Sequence, residues 1–162
     1  MKPATLITAL ILFIASLATP WSTVNAYVSG GSGKIKLSPN SGNITLGQTK
    51  DIDVTINSNN VDISGVAVRI TFPVSANDME VAGITPDTTN LAGAGWSFPV
   101  ATHSTTEGTT TIDIMAINTA PSGWKTSSDT KIATITLKAN SDFTNKVLTL
   151  DQSQTQMIKK SD

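Results

Sequence analysis

Hydrophobic and polar residues alternate with a period of two through most of the chain after about residue 34. In the segment 51–56, for example, the three aliphatic residues share one face, whereas Asp53 and Thr55 share the other. This alternation is typical of β-strands with one buried and one solvated face. The same pattern predicts further strands over 34–37, 65–72, 79–84, 96–102, 109–117, 131–138 and 147 to about 157.

Helical periodicity is missing from the chain after residue 26, and the periodic segments are rich in Thr, Val and Ile. These branched residues suit a pleated sheet. Clusters of Pro, Asn, Ser and Gly, such as 38–42, separate the segments and predict turns. Eight or nine such strands indicate an all-β antiparallel fold, and the regular alternation favours a two-sheet sandwich over a barrel.

The first 26 residues have the parts of a cleaved secretory signal. Lys2 gives a positive start, 9–18 is an apolar run, and Val24 and Ala26 occupy the positions that a signal peptidase reads. The run is shorter than the roughly 20 residues that span a bilayer, so we expect no retained membrane span. We predict a signal over 1–26, a Gly/Ser-rich linker over 27–33, a domain over 34–158 and a polar tail over 159–162, in a secreted or cell-surface protein.

Composition narrows the classes of function. Without Lys2, ten basic residues stand against 12 acidic ones, and no basic run is present, so nucleic acid is not an expected partner. The chain has no cysteine, which excludes thiol nucleophiles and thiolate metal sites. An exported domain without disulfides must be held by its hydrophobic core.

Catalytic groups are scarce. His103 is the single histidine, it lies in a predicted loop over 101–108, and no acid lies within three residues of it. A base needs a paired nucleophile and an orienting partner, so we predict a protein that is not an enzyme. Asp51 and Asp53 share a strand face and could contribute to a calcium site, but the spaced loop pattern of such sites is missing. We expect no metal or other cofactor on this chain.

Two tryptophans remain after the signal. Trp96 alternates with Phe98 and Val100, which favours a core or core-edge position, whereas Trp124 lies in a predicted loop over 120–125. Trp124, together with Trp96 if that side chain is exposed, could stack on sugar rings, so a carbohydrate-binding module with polysaccharide as the ligand is an alternative function. The triplet 43–45 (Asn-Ile-Thr) also matches the acceptor pattern for N-glycosylation.

The order of the segments resembles a cohesin domain, the receptor module of cellulosome-type assemblies. The resemblance runs from about residue 34 to 157. It is carried by a Leu-Gly turn before the strand 51–56, and by four further segments: 63–66, 79–86, 131–138 and 147–151. The strand 131–138 (KIATITLK), for instance, is similar to the family's ATITFK strand.

This resemblance implies a nine-stranded jelly-roll sandwich that docks a calcium-loaded dockerin module, with the calcium on the partner. The setting would be polysaccharide breakdown or cell-surface assembly; a structural envelope sandwich without a ligand is a further alternative. In the family, the docking sheet contains the third, fifth, sixth and eighth strands. By alternation, its outward residues here are Arg69, Thr71, Ser97, Asp113, Met115, Thr134 and Thr136.

Overall fold

The computed structural model describes residues 23–24, 33–74, 77–89, 91 and 94–161. Most of the predicted signal and linker therefore lies outside the described residues, and the processing site and the domain boundaries stay predictions. Within the predicted signal, Thr23 and Val24 form a short strand against Lys36 and Ile35.

Every regular element in the described residues is a β-strand. In chain order they are β1 (Thr23–Val24), β2 (Lys34–Ser38), β3 (Ser41–Ile44), β4 (Thr49–Asn57), β5 (Ile63–Pro73), β6 (Met79–Pro86), β7 (Trp96–Thr106), β8 (Thr109–Asn118), β9 (Thr130–Ala139), β10 (Phe143–Val147), β11 (Thr149–Leu150) and β12 (Gln156–Lys159).

The strands form two main sheets. The first sheet has the order β1-β2-β4-β9-β6, and the second has the order β11-β5-β8-β7, with β12 also paired to β5. β3 and β10 form a separate two-stranded sheet. Each of the pairings is antiparallel, which confirms the predicted all-β antiparallel fold. The nine-strand count is approximate, because β1 and β11 have only two residues each.

The core fills the space between the inner faces of the two sheets, as the alternation requires. β4 contributes Ile52, Val54 and Ile56, all at most 1% exposed, while the intervening side chains are at least partly exposed. Burying one such aliphatic side chain contributes about 1.5–3 kcal/mol. The same pattern recurs on the neighbouring strands, whose buried residues include Ile35, Leu37, Val66, Val68, Ile70, Phe72, Ile112, Ile114, Ile135 and Leu137.

The single strand predicted over 147 to about 157 is wrong: a turn divides it into β11 and β12. The Asp151 carboxylate accepts hydrogen bonds from the Ser153 amide (2.9 Å) and hydroxyl (2.7 Å). Such a local carboxylate-to-backbone bond offers the chain an alternative to the ladder. The Thr155 hydroxyl then bonds both the amide (3.0 Å) and the carbonyl (3.2 Å) of Arg69, so that the chain rejoins β5 as β12.

β7 and β8 form a long hairpin that continues four residues past the predicted end of β7. Glu107 and Gly108 both have positive φ, 50° and 76°, as a tight type I′ turn requires. His103 therefore lies in a strand, opposite Ile112, and the predicted loop over 101–108 is wrong.

Candidate functional site

The outer face of the second sheet, made by β5, β7, β8 and β12, is the candidate site. Its side chains form rows across the strands, because residues opposite each other in a ladder point to the same side. One row holds Val100, Met115 and Ala67, with Gln156 beyond them on β12. The next row holds Thr102, Asp113 and Arg69, and the row after it holds Ser104, Thr111 and Thr71.

A bulge in β7 decides which of its residues reach this face. The register against β8 shifts between Ser97 and Val100, and Pro99, which has no amide hydrogen to donate, lies inside the shift. Trp96 and Phe98 pack against the core, as predicted, but Val100 lies opposite Met115 on the outer face. The predicted alternation of Val100 with the two aromatic residues is therefore wrong, because the bulge changes the parity.

A bidentate ion pair lies at the centre of the outer face. The Arg69 Nε is 2.6 Å from Asp113 Oδ1, and its Nη2 is 3.1 Å from Oδ2. The hydrogen bond to Asp113 and the charge of that carboxylate raise the pKa of Arg69, with a smaller contribution from Asp151. The two side chains remain 39% and 36% exposed, so the pair adds little to stability. It fixes the positions of two opposite charges that a partner can reach.

One end of the outer face is apolar. Met115 and Ile117 on β8 are each 39% exposed, and Ile158 on β12 is 45% exposed. These are three of the five large apolar side chains that are exposed in the described part of the chain. We call the set Ala67, Val100, Met115, Ile117 and Ile158 the apolar end.

Gly65 shapes this end, since it lies between Ile117 and Ile158 in the ladder. A Cβ at this position would lie 3.3 Å from Ile158 Cδ1 and 3.1 Å from the Ala116 carbonyl oxygen. Ile158 therefore leans over the backbone of β5, which makes a low apolar surface in place of a ridge.

A shallow depression of about 240 Å³ joins the apolar end to the ion pair. Met115, Val100 and Ala67 line one side of it, and Arg69 and Asp113 line the other. Apolar contact area beside fixed charges is typical of surfaces that bind other proteins, where apolar residues contribute affinity and charges contribute orientation.

The structure brings five of the seven predicted partner-binding residues to this sheet. Arg69 and Thr71 lie on β5, Asp113 and Met115 on β8, and Ser97 opposite Ile117 on β7. Their grouping on one face agrees with the prediction, and their role in binding stays a prediction.

Thr134 and Thr136 do not join that face, and the prediction that one sheet carries all seven residues is corrected. Both lie on β9, in the first sheet, between β4 and β6. Their hydroxyls donate to Asp53 Oδ1 (2.8 Å) and Asp51 Oδ1 (2.7 Å), so they contribute to cross-strand contacts within their own sheet. Alternation alone correctly gave them outward positions, but it could not tell which of the two sheets they belonged to.

The two tryptophans are neighbours, but they do not form a flat platform. Their ring centroids are 5.5 Å apart and their planes meet at 78°, an edge-to-face contact. Both are partly buried against the core, and Trp96 Nε1 is buried. Trp124 is also held by its backbone, whose amide and carbonyl bond Ile63 at 3.0 and 2.8 Å. The two rings therefore offer no shared flat surface.

Within the described residues, no group of three or more His, Asp or Glu side chains is placed to hold a metal ion, and no helix is long and apolar enough to cross a membrane. Asp51 and Asp53 are bonded to the threonines of β9, as described above.

Four residues of the apolar end were not among the predicted site residues. Ile117 and Ala67 follow the parity of Met115 and Arg69, so strict alternation could have identified them. Val100 and Ile158 depend on the bulge in β7 and the turn after β11, which the sequence pattern did not show.

No protein-family model and no curated protein matches the chain. Among solved structures, the cohesin CaCohA2 of Clostridium acetobutylicum, in complex with a dockerin, matches with 16% identity and a TM-score of 0.48, over 73% of this chain and 93% of that one. The third cohesin of ScaC from Acetivibrio cellulolyticus, in complex with the ScaB dockerin, matches with 18% identity and a TM-score of 0.47, over 70% and 77%. The OlpA cohesin of Clostridium thermocellum, in complex with a dockerin, matches with 12% identity and a TM-score of 0.47, over 77% and 97%.

Each of these structures is a cohesin module, the family that the sequence resembles. The assignment of the candidate site rests on the chain's own residues.

Proposed function

We propose that this protein is an extracellular, cohesin-like interaction module that docks a dockerin-bearing protein through the outer face of the second sheet. The observation that carries the proposal is the apolar end, where Met115, Ile117 and Ile158 are exposed together beside the Arg69–Asp113 pair. The resemblance of the sequence to cohesins supplies the class of partner.

The energetics favour a protein partner for this face. Covering an exposed apolar side chain contributes about 25 cal/mol per Å² of apolar area removed from water. The fixed Arg69–Asp113 pair adds direction, because a partner must match one positive and one negative group about one residue row from the apolar end.

A non-catalytic role is consistent with the same site. The depression is lined by the ion-paired arginine and aspartate, by Gln154 and Met115, and by four aliphatic residues. The guanidinium is charged at all ordinary pH values and cannot act as a base. Any calcium in the complex would belong to the dockerin, whose loops supply the oxygen ligands, and the setting would be polysaccharide breakdown or cell-surface assembly.

The test is capture by the purified mature chain of the dockerin modules encoded in the same genome, with calcium and then with EDTA. We expect binding that needs calcium, because the partner is ordered by its metal. The variant Met115→Glu should lose it, whereas Thr134→Val, an outward substitution on the other sheet, should keep it. The absence of any dockerin-bearing protein from that genome, or equal loss of binding in both variants, would contradict the proposal.

The carbohydrate-binding alternative has a separate test. Trp124→Ala removes the tryptophan that lies outside the strands, and the retention of this variant on cellulose, xylan and chitin is compared with that of the unchanged chain. Under the docking proposal, neither chain is retained. Retention that depends on Trp124 would favour sugar as the ligand.

A further inference from the structure

Among the asparagines of the chain, only Asn43 is followed two residues later by Ser or Thr. The intervening residue is Ile44, and the triplet lacks the proline that would block recognition. The docking face does not use this segment, since β3 pairs only with β10 and contributes to neither main sheet.

The local structure presents the triplet to solvent. Asn43 and Thr45 are both exposed, while Ile44 between them is 7% exposed and belongs to the core. Residues i and i+2 of an extended chain share a face, so the amide and the hydroxyl point outward together. Both residues that define an N-glycosylation acceptor are therefore exposed on the folded domain.

The pairing around the triplet is irregular. Ile44 lies opposite Phe143 and Gly42 lies opposite Lys146, so the register shifts beside Asn43. The extra residue lies in β10, where residues 144 and 145 stand against Asn43 alone, and it interrupts the ladder beside Asn43. β3 has only four residues, so Asn43 lies in a short strand at a break in the ladder.

We propose that Asn43 is a site of N-linked glycosylation on the exported protein. The donor class is an oligosaccharide attached through its C1 to a lipid pyrophosphate. In the transfer, a bond forms between Asn43 Nδ2 and C1, the C1–oxygen bond to the pyrophosphate breaks, and the amide nitrogen loses one proton. The lipid pyrophosphate leaves with the electron pair of the broken bond. The proposal rests on the predicted export and is independent of the docking proposal.

A glycan at Asn43 would have a structural consequence. Asn43 lies on neither β5, β7, β8 nor β12, so the glycan would extend from a strand outside the docking face. A bulky, hydrated group on the surface increases solubility and protects nearby backbone. Glycosylation should therefore leave binding through Met115 unchanged.

The test is mass spectrometry of the protein recovered from the envelope or medium of its own organism. Trypsin cleaves after Lys36 and Lys50 and releases the peptide 37–50, which also contains Asn40. Asn40 is 8% exposed and has Gly42 two residues later, so it is an internal control in the same peptide. We expect added hexose-containing mass on this peptide, with fragmentation that locates it on Asn43.

Matched variants separate the motif from the fold. Asn43→Gln and Thr45→Ala should each remove the added mass, and Thr45→Ser, which keeps the hydroxyl, should retain it. Because both substituted positions are exposed, the thermal unfolding midpoint should remain nearly unchanged. A fully unmodified peptide 37–50 in the exported protein, a modified peptide in Thr45→Ala, or a chain that stays inside the cell with residues 1–26 attached would each overturn the proposal.

Discussion

The outer faces of the two main sheets have the same backbone geometry and opposite chemistry. On the first sheet, polar side chains are linked across the strands: Lys138 to Glu80 at 2.8 Å, Lys36 to Asp129 at 2.5 Å, and Thr134 to Asp53 at 2.8 Å. On the second sheet, one ion pair stands beside a group of exposed apolar side chains.

The difference shows how one alternating pattern can serve two purposes. A face whose charges and hydroxyls bond one another is a solvated exterior that resists association, because a partner would have to replace those bonds. Covering a face with exposed Met and Ile residues lowers the free energy, because apolar area is removed from water. The partner that we propose for this face is a dockerin, which the sequence resemblance to cohesins implies.

The largest effect is expected from charging the apolar end. Met115→Glu with Ile117→Glu should raise the Kd for a dockerin at least about 100-fold, which is about 2.7 kcal/mol. Both side chains are already 39% exposed, so the free energy of unfolding should change by no more than about 1 kcal/mol. Isothermal titration and thermal unfolding check the two parts, and an unchanged Kd would remove the distinction between the faces.

A smaller effect is expected from the ion pair. Arg69→Ala leaves the Asp113 carboxylate without its partner where docking would cover it, so binding should weaken by about tenfold. Arg69→Lys keeps the charge but not the bidentate geometry, so its Kd should lie between that of the unchanged chain and that of Arg69→Ala. Binding that is insensitive to both variants would show that the apolar end acts alone.

Acid should weaken the first sheet. The hydrogen bond and charge of Lys138 lower the pKa of Glu80, and the hydrogen bond to Lys36 lowers that of Asp129. A carboxylate whose pKa is lower in the folded state stabilises the fold at pH values above its pKa in the unfolded chain, which is near 4. This contribution is lost as the pH falls through the pKa of the folded state. The unfolding midpoint should therefore fall between pH 5 and pH 3, and the double variant Glu80→Gln, Asp129→Asn should show a smaller fall. An equal fall would place the acid sensitivity in other carboxylates.

The smallest effect is expected from the threonines of β9. Thr134→Val and Thr136→Val each remove one hydrogen bond to a carboxylate on an exposed face, which costs about 1 kcal/mol or less. The Kd for the dockerin should not change. Titration of the double variant with the dockerin measures this Kd directly. Weaker binding would show that β9 is part of the docking surface.

Much of the fold follows from local patterns. The parity of Ile52, Val54 and Ile56 is enough to predict a strand, and the same is true of the alternating segments in β5, β8 and β9. Alternation predicts which side chains point outward from a sheet. It does not predict which sheet a strand joins, since strand partners are set by long-range pairing. Thr134 and Thr136 were assigned to the wrong sheet for this reason.

The candidate site could be predicted less well, because two residues of the apolar end reach it only through local irregularities of the strands. The bulge at Pro99 brings Val100 outward, and the turn at Asp151 brings β12 and Ile158 beside β5. The bulge is a shift of register against β8, and β12 rejoins β5 through the bonds of Thr155 to Arg69, so both need the neighbouring strand in place. His103 was predicted to lie in a loop because its Thr/Ser-rich surroundings lack apolar alternation. The tight turn lies further along, at 107–108, so that the hairpin includes His103.

The most direct test of docking through the second sheet is amide NMR of the isotope-labelled mature chain, titrated with a calcium-loaded dockerin from the same genome. We expect the perturbed amides to cluster on β5, β8, β12 and the part of β7 after the bulge, with little change on β4 and β9. Perturbations centred on β4 and β9, or around Trp124, would contradict it.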